Sequence, residues 1–420
     1  MSGKKLPLLP FALVTSLFLL WGIANDMNGT LLAAFKRIMS MSDLQSSLIQ
    51  MAFYGSYFCF ALPAALFIRR FTYKSGILLG LALYATGTLL FKPAGIAESY
   101  GFFLLAIYVM AGGCAILETT ANPYILAMGS PETATRRLNI AQSFNPMGAI
   151  IGILLSRHFI LGELNDADAA ARGAMSPAAL HAVRQGELGA ISGTYTIFGI
   201  VLVALLIVIA CVRMPSEKDA GGSVSIASSF RRIFGLRRYR NGVIAQFFYV
   251  GAQTCVWSFT IRAVMAETGV REAAASDVFL CSILAFTAFR FIFTALMKRH
   301  APARLMAWAA IGAIVATALV IFGSGRTVIV ALVAISACMS LMFPTIYGIA
   351  LEGIEGDDAK FAASGLIMAI IGGAVMTPIM GWISDTTGAI STAFTVPAFC
   401  FIIVLIYSLQ VLYGKRTHAA

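Results

Sequence analysis

Apolar residues arrive along this chain in long runs, with short polar or basic punctuation between them. Twelve runs of about 18 residues or more lie near 9–35, 45–68, 76–93, 101–128, 139–162 and 191–213, then near 241–265, 274–297, 303–323, 327–351, 361–384 and 390–413. About 20 apolar residues in a helix cross about 30 Å of hydrocarbon. The strands of a membrane barrel need only about ten. The pattern predicts an all-α membrane protein with 12 transmembrane helices. Six spans, a polar stretch at 214–240 and six more predict two pseudo-symmetric six-helix bundles, 1–213 and 241–420, joined by a cytoplasmic central loop.

Composition agrees. The chain has 420 residues, 59% hydrophobic and 12% charged, against about 25% charged in a soluble domain. The net charge of +11 follows the loops, which makes it a topological signal and not a nucleic-acid one. With both termini in the cytoplasm, 20 of the 30 Lys and Arg fall on the inner side and 9 on the outer, with Arg290 inside span eight. Lys4 and Lys5 precede a run too long for a signal-peptide core, so that run reads as an uncleaved first span. The seven cysteines carry no CxxC and indicate neither a disulfide framework nor a metal site. There is no HExxH, GxSxG or P-loop, so neither an enzyme nor ATP-driven transport is expected.

Two loops carry further signals. Ser176-Pro177 reads as an N-cap and N1 pair opening a short surface helix to about Leu188. The basic, aromatic stretch Phe230–Arg240 reads as an amphipathic helix on the anionic inner leaflet. The acidic run Glu352, Glu355, Asp357 and Asp358 reads as a solvated turn.

Against this apolar background the polar residues within spans stand out. Span one holds Asn25, Asp26, Asn28 and Thr30. An aspartate at mid-helix costs about 2.5–3.5 kcal/mol on insertion, so such groups face a wet cavity or a partner. Glu118 lies near the middle of span four, with Asn122 at i+4 and Pro123 beside it. It is either a protonated carboxyl hydrogen-bonded to a neighbouring helix or a group that loads and releases a proton. In span five Asn139, Gln142 and Asn145 share a face at i, i+3 and i+6. Amides donate and accept, which suits sugar hydroxyls and also suits interhelical bonding. In span seven Gln246, Tyr249, Gln253 and Trp257 recur at three- and four-residue spacing as a polar and aromatic stripe, a platform for a pyranose ring or, at Trp257, part of an interfacial belt. Arg290 either snorkels to the cytoplasmic interface or pairs with a cavity carboxylate.

The segments LFLLWGIANDMN, SLIQMAFYGSYF, YKSGILLGLALYATGTLLF, LETTANP, RRLNIAQSFNPMGAII, AQFFYVGAQTCVWS and FPTIYGIALEG resemble the major facilitator superfamily and, within it, the bacterial fucose/galactose/glucose-proton symporters, over nearly the whole chain. The resemblance implies alternating access by two bundles and import of a monosaccharide with a proton. It implies no cofactor beyond that proton, location in the bacterial inner membrane and function as a monomer. Glu118 matches the family's span-four carboxylate, and Gln142 and Asn145 match cavity residues of span five. The family's span-one acid falls at Gly29, and an aspartate stands at position 26 instead. The expected proton-coupling residues are therefore Glu118 and Asp26. The expected sugar-binding residues are Asn25, Asn28, Asn122, Gln142, Asn145, Gln246, Tyr249, Gln253 and Trp257. A passive sugar facilitator and an efflux antiporter of the same fold remain as alternatives.

Overall fold

The computed structural model describes residues 7–39, 43–165, 169–214, 226–270 and 272–414. The described residues form helices and no strands. Eleven helical segments are long and apolar enough to cross a membrane, from Leu8–Met27 to Ile390–Tyr413. The twelfth expected span, span seven, is the 32-residue helix Arg237–Thr268. Its length suffices, but Arg237, Arg238, Arg240, Asn241, Gln246 and Gln253 dilute its apolar character.

Several spans are broken. Span five is the helix Ala134–Gln142 followed, after Ser143, by Phe144–Phe159. Span ten is Arg326–Met339 followed by Met342–Ala350, and span eleven is Gly356–Met368 followed, after a single 3-10 turn, by Gly372–Thr387. Spans five and ten carry a proline just past the break, Pro146 and Pro344, where the missing N–H cannot continue the ladder.

Two compact units emerge. One comprises Pro7–Ala121 and Met147–Glu217; the other gathers Asn122–Pro146 and Lys218–Ala420. In the first unit, span one and span five meet backbone to backbone. A Cβ on Gly148 would lie 1.9 Å from the Leu19 carbonyl oxygen, and one on Gly152 would lie 2.7 Å from that of Ile23. Two small residues one turn apart let membrane helices approach this closely. The second unit repeats the device between spans seven and eleven, where a Cβ on Gly372 would lie 2.0 Å from the Phe247 carbonyl oxygen. Span seven is central to its unit and packs against spans eight, ten, eleven and twelve.

Three local expectations need correcting. Ser176 does cap a helix, its Oγ accepting from the Ala179 N–H, but that helix runs unbroken from Pro177 to Cys211 and merges with span six. Nothing after Leu188 stops it: no proline follows before Cys211, and the run from Ile197 onward is apolar enough to continue as a span. Its outer end is held by Glu187, buried and bonded to both Nη atoms of the buried Arg172, whose guanidinium is thereby raised above its usual range. The central-loop helix is Ile226–Gly235, and span seven begins immediately at Arg237. It leans on protein as well as presenting a surface: Ile233 is buried, and Arg232 makes a two-pronged bond to Asp358 at 2.6 and 2.8 Å. The acidic run is accordingly no plain solvated turn. Asp358 binds Arg232, Asp357 binds Lys360 at 3.3 Å, and Glu352 meets Arg238 at 3.5 Å.

Candidate functional site

In the first unit the polar stretch of span one follows directly on the glycine contact. Asn25 is exposed, Asp26 is half-buried, and the Asn28 side chain lies outside the described residues. Leu20, one turn before Ala24, gives its carbonyl to the buried Tyr84 hydroxyl at 2.8 Å. Span one is thus tied to span three on one side and wedged against span five on another, which sets where residues 25 and 26 can point.

Glu118 is half-buried in the helix Tyr100–Ala127. The Tyr57 hydroxyl of span two donates to its Oε1 at 3.4 Å, a long bond, while Oε2 is buried with no hydrogen-bond partner among the described residues. A carboxylate held as a permanent structural anion would be surrounded by donors or a cation. Among the described residues Glu118 has one weak donor. Tyr57 lay within SLIQMAFYGSYF, but no spacing in the sequence pointed it at span four.

The second unit holds the amides. Gln142 Nε2 donates to Asn122 Oδ1 at 2.9 Å, joining span five to span four, and both residues are buried. Asn122 Nδ2 finds no partner among the described residues. The predicted face of span five is interrupted by the break at Ser143. Gln142 lies before it and buried, Asn145 after it and half-buried. Asn139 is also buried, donating to the Thr135 carbonyl at 2.9 Å and to Thr345 Oγ1 at 3.4 Å.

The stripe on span seven divides in the same way. Gln253 and Trp257, one turn apart, are half-buried, and Trp257 Nε1 donates to Ser336 Oγ at 3.4 Å while its ring meets Phe286 edge-on. Gln246 and Tyr249 are wholly buried. Tyr249 is therefore no stacking surface: its hydroxyl donates to the Met339 carbonyl at 3.1 Å, satisfying a carbonyl at the break of span ten. The physical reason is that the Gln246 and Tyr249 face of span seven is covered by the neighbouring spans it packs against, while Ile244 lies on another, exposed face of the same half. The Gln246 amide is buried with neither of its atoms bonded among the described residues.

Arg290 departs from both of its expected roles. It does not snorkel, being 3% exposed, and it bonds backbone carbonyls instead of a carboxylate. Its Nη1 donates to the Gln142 carbonyl at 2.8 Å, its Nε donates to the Ser340 carbonyl, and its guanidinium lies over the Phe286 ring at 4.7 Å. Among the described residues no cluster of His, Cys, Asp and Glu could hold a metal ion.

Comparison with known proteins places this arrangement. The Major Facilitator Superfamily pattern matches residues 13–354. The chain is 42% identical over 418 residues to the L-fucose-proton symporter of Haemophilus influenzae, covering 97% of each protein. It is 32% identical over 401 residues to a glucose/galactose transporter of Brucella abortus, covering 94% of this chain and 92% of that protein. It matches the crystal structure of the Escherichia coli fucose:proton symporter FucP with a TM-score of 0.90 at 34% identity, covering 97% of this chain and 99% of that one. The apolar spans, the paired units and these likenesses together make the chain a multi-pass membrane protein that belongs to the major facilitator superfamily.

Proposed function

We propose that the chain imports a monosaccharide, L-fucose or a related hexose or pentose, together with a proton by alternating access. The observation that carries this is Glu118: a carboxyl in the middle of a membrane span, offered, among the described residues, one long hydrogen bond by Tyr57 and nothing at its second oxygen. A permanent charge so poorly served is costly there, whereas a carboxyl that takes up and releases a proton needs such a setting. The relatives supply the class of solute, being L-fucose-proton symporters and glucose/galactose transporters.

In this reading Glu118 is the proton switch and Asp26 stands in for the acid displaced by Gly29. The half-buried or exposed residues Asn25, Asn145, Gln253 and Trp257 touch sugar, together with Asn28. The buried Asn122, Gln142 and Gln246 hold the amide arrangement behind them. Residues 1–213 and 241–420 act as the two rocking bundles about the central loop 214–240. The excess of Lys and Arg supports both termini in the cytoplasm; the inner membrane, no cofactor but the proton and function as a single chain belong to the same reading.

The test is sugar-triggered proton movement in de-energised cells. L-fucose, D-arabinose, D-galactose and D-glucose are added singly to cells expressing the wild type or Glu118→Gln. External alkalinisation with one sugar, absent in Glu118→Gln, is the expected result. Sugar flux without a proton signal would replace symport by facilitated diffusion, the reading that the loss of an acid at position 29 favours. No flux for any sugar would remove the class altogether.

A further inference from the structure

Arg290 bonds two backbone carbonyls, those of Gln142 and Ser340. In a continuous helix the carbonyl of residue i accepts from the N–H of residue i+4. The residue at i+4 from Gln142 is Pro146, and the residue at i+4 from Ser340 is Pro344. Proline has no N–H to give. Both carbonyls that receive the guanidinium are therefore ones that a proline has stripped of their helix partner. Each sits at a break, one between Ala134–Gln142 and Phe144–Phe159, the other between Arg326–Met339 and Met342–Ala350. An uncapped carbonyl in a water-poor interior is costly, and one planar cation with donors on separate nitrogens serves two of them at once.

We infer that Arg290 is a positioning residue for the Gln142–Asn122 amide pair, acting by capping the carbonyls that Pro146 and Pro344 leave open. The Gln142 side chain bonds Asn122 at 2.9 Å while its own carbonyl is anchored by Arg290 at 2.8 Å. The amide is thus held at both ends of one residue. Phe286, one turn before Arg290, stacks under the guanidinium and also meets Trp257 edge-on, so the same support reaches the aromatic residue of span seven. A lysine here has the charge but only a single donor centre, and reaches one carbonyl or the other. The inference rests on the reading that Gln142 serves the sugar.

The experiment measures L-fucose binding to the full-length protein in detergent by calorimetry, with D-galactose as a second probe. The variants are Arg290→Met, Arg290→Lys, Gln142→Ala, the double variant Arg290→Met/Gln142→Ala, and Arg290→Met on a Pro146→Ala background. Arg290→Met and Gln142→Ala are each expected to weaken binding about tenfold. The double variant should be no weaker than the weaker single, because both act through one amide. Lysine should restore less than half of the loss on a logarithmic scale. Pro146→Ala should recover part of it, by returning an N–H to the Gln142 carbonyl. Full rescue by lysine, additive losses or no recovery with Pro146→Ala would overturn the inference, as would wild-type binding by Arg290→Met when Gln142→Ala is defective. Wild-type binding by Gln142→Ala would instead sink the sugar role of Gln142, and the inference with it. Should Arg290→Met aggregate, as read by gel filtration, the lysine variant alone decides: wild-type affinity refutes positioning through two carbonyls.

Discussion

A single methyl group added at Gly148 tests whether the approach of spans one and five sets the geometry of residues 25 and 26. The Cβ of Gly148→Ala would lie 1.9 Å from the Leu19 carbonyl oxygen, 2.8 Å from its carbon and 3.1 Å from Gly22 Cα. Carbon contacts are comfortable at about 3.5 Å and beyond, so span one must retreat by roughly 1.5 Å. The obstacle is backbone and cannot rotate away. Overpacking of this kind costs about 1–3 kcal/mol, a fall of about 2–4 °C in Tm for each kcal/mol in a domain of roughly 150–250 residues. The functional loss should be larger than the stability loss. Asn25 and Asp26 follow within two turns of the contact, and misplacing such groups by about 1 Å costs about a hundredfold. The assay is the initial rate of radiolabelled L-fucose uptake at matched membrane abundance, with thermal unfolding of the purified protein beside it. Gly55→Ala and Gly193→Ala are the controls, since a Cβ at either meets nothing within 4 Å. Gly152→Ala, with 2.7 Å to the Ile23 carbonyl oxygen, should fall between. Wild-type uptake and an unchanged midpoint for Gly148→Ala would show that the close approach does not set the site.

Two further predictions concern charge pairs outside the proposed binding residues. Glu187→Gln removes the carboxylate that bonds both Nη atoms of the buried Arg172, and breaking a buried pair costs about 3–5 kcal/mol; the double variant Arg172→Met/Glu187→Met should lower the unfolding midpoint less than Glu187→Gln alone, and equal or greater harm in the double would show that the pair is not what holds the outer end of span six. The Arg232–Asp358 bond is exposed, with the guanidinium raised above its usual range by that carboxylate, so salt should weaken it: the Debye length shrinks from about 30 Å at 0.01 M to about 3 Å at 1 M. Hydrogen exchange in Ile226–Gly235 should quicken over that range, and a salt-independent rate would mean that Ile233 and its apolar neighbours hold the helix unaided.

The polar residues that stand out within the spans did not end up with equal roles. Glu118 is half-buried on span four, and Asn122 and Gln142 are buried on spans four and five. Tyr249 occupies the same stripe as Trp257 yet serves a backbone carbonyl, because a stripe describes one helix and says nothing of how many neighbours enclose it. Arg290 was visible as a charge in an apolar run, but its partners lie 148 and 50 positions away in the chain. The relevant signal was the two prolines, each four residues beyond a carbonyl, and nothing local connects them to span eight.

What the chain determined by itself is the set of helices and their membrane setting. Runs of about 20 apolar residues leave the backbone few ways to satisfy its own polar groups in hydrocarbon, so eleven of the spans follow from hydropathy, and span seven from its length and place in the series. Small residues, prolines and in-span polar groups are likewise sequence facts. Tertiary packing decided which of those polar groups stay available and which are consumed: it bonded Gln142 to Asn122, gave Glu118 a long bond from Tyr57, and set Arg290 on the carbonyls of two broken helices. Each of those outcomes depends on contacts between residues far apart in the chain, whose energy is a property of the folded neighbourhood and not of any stretch read alone.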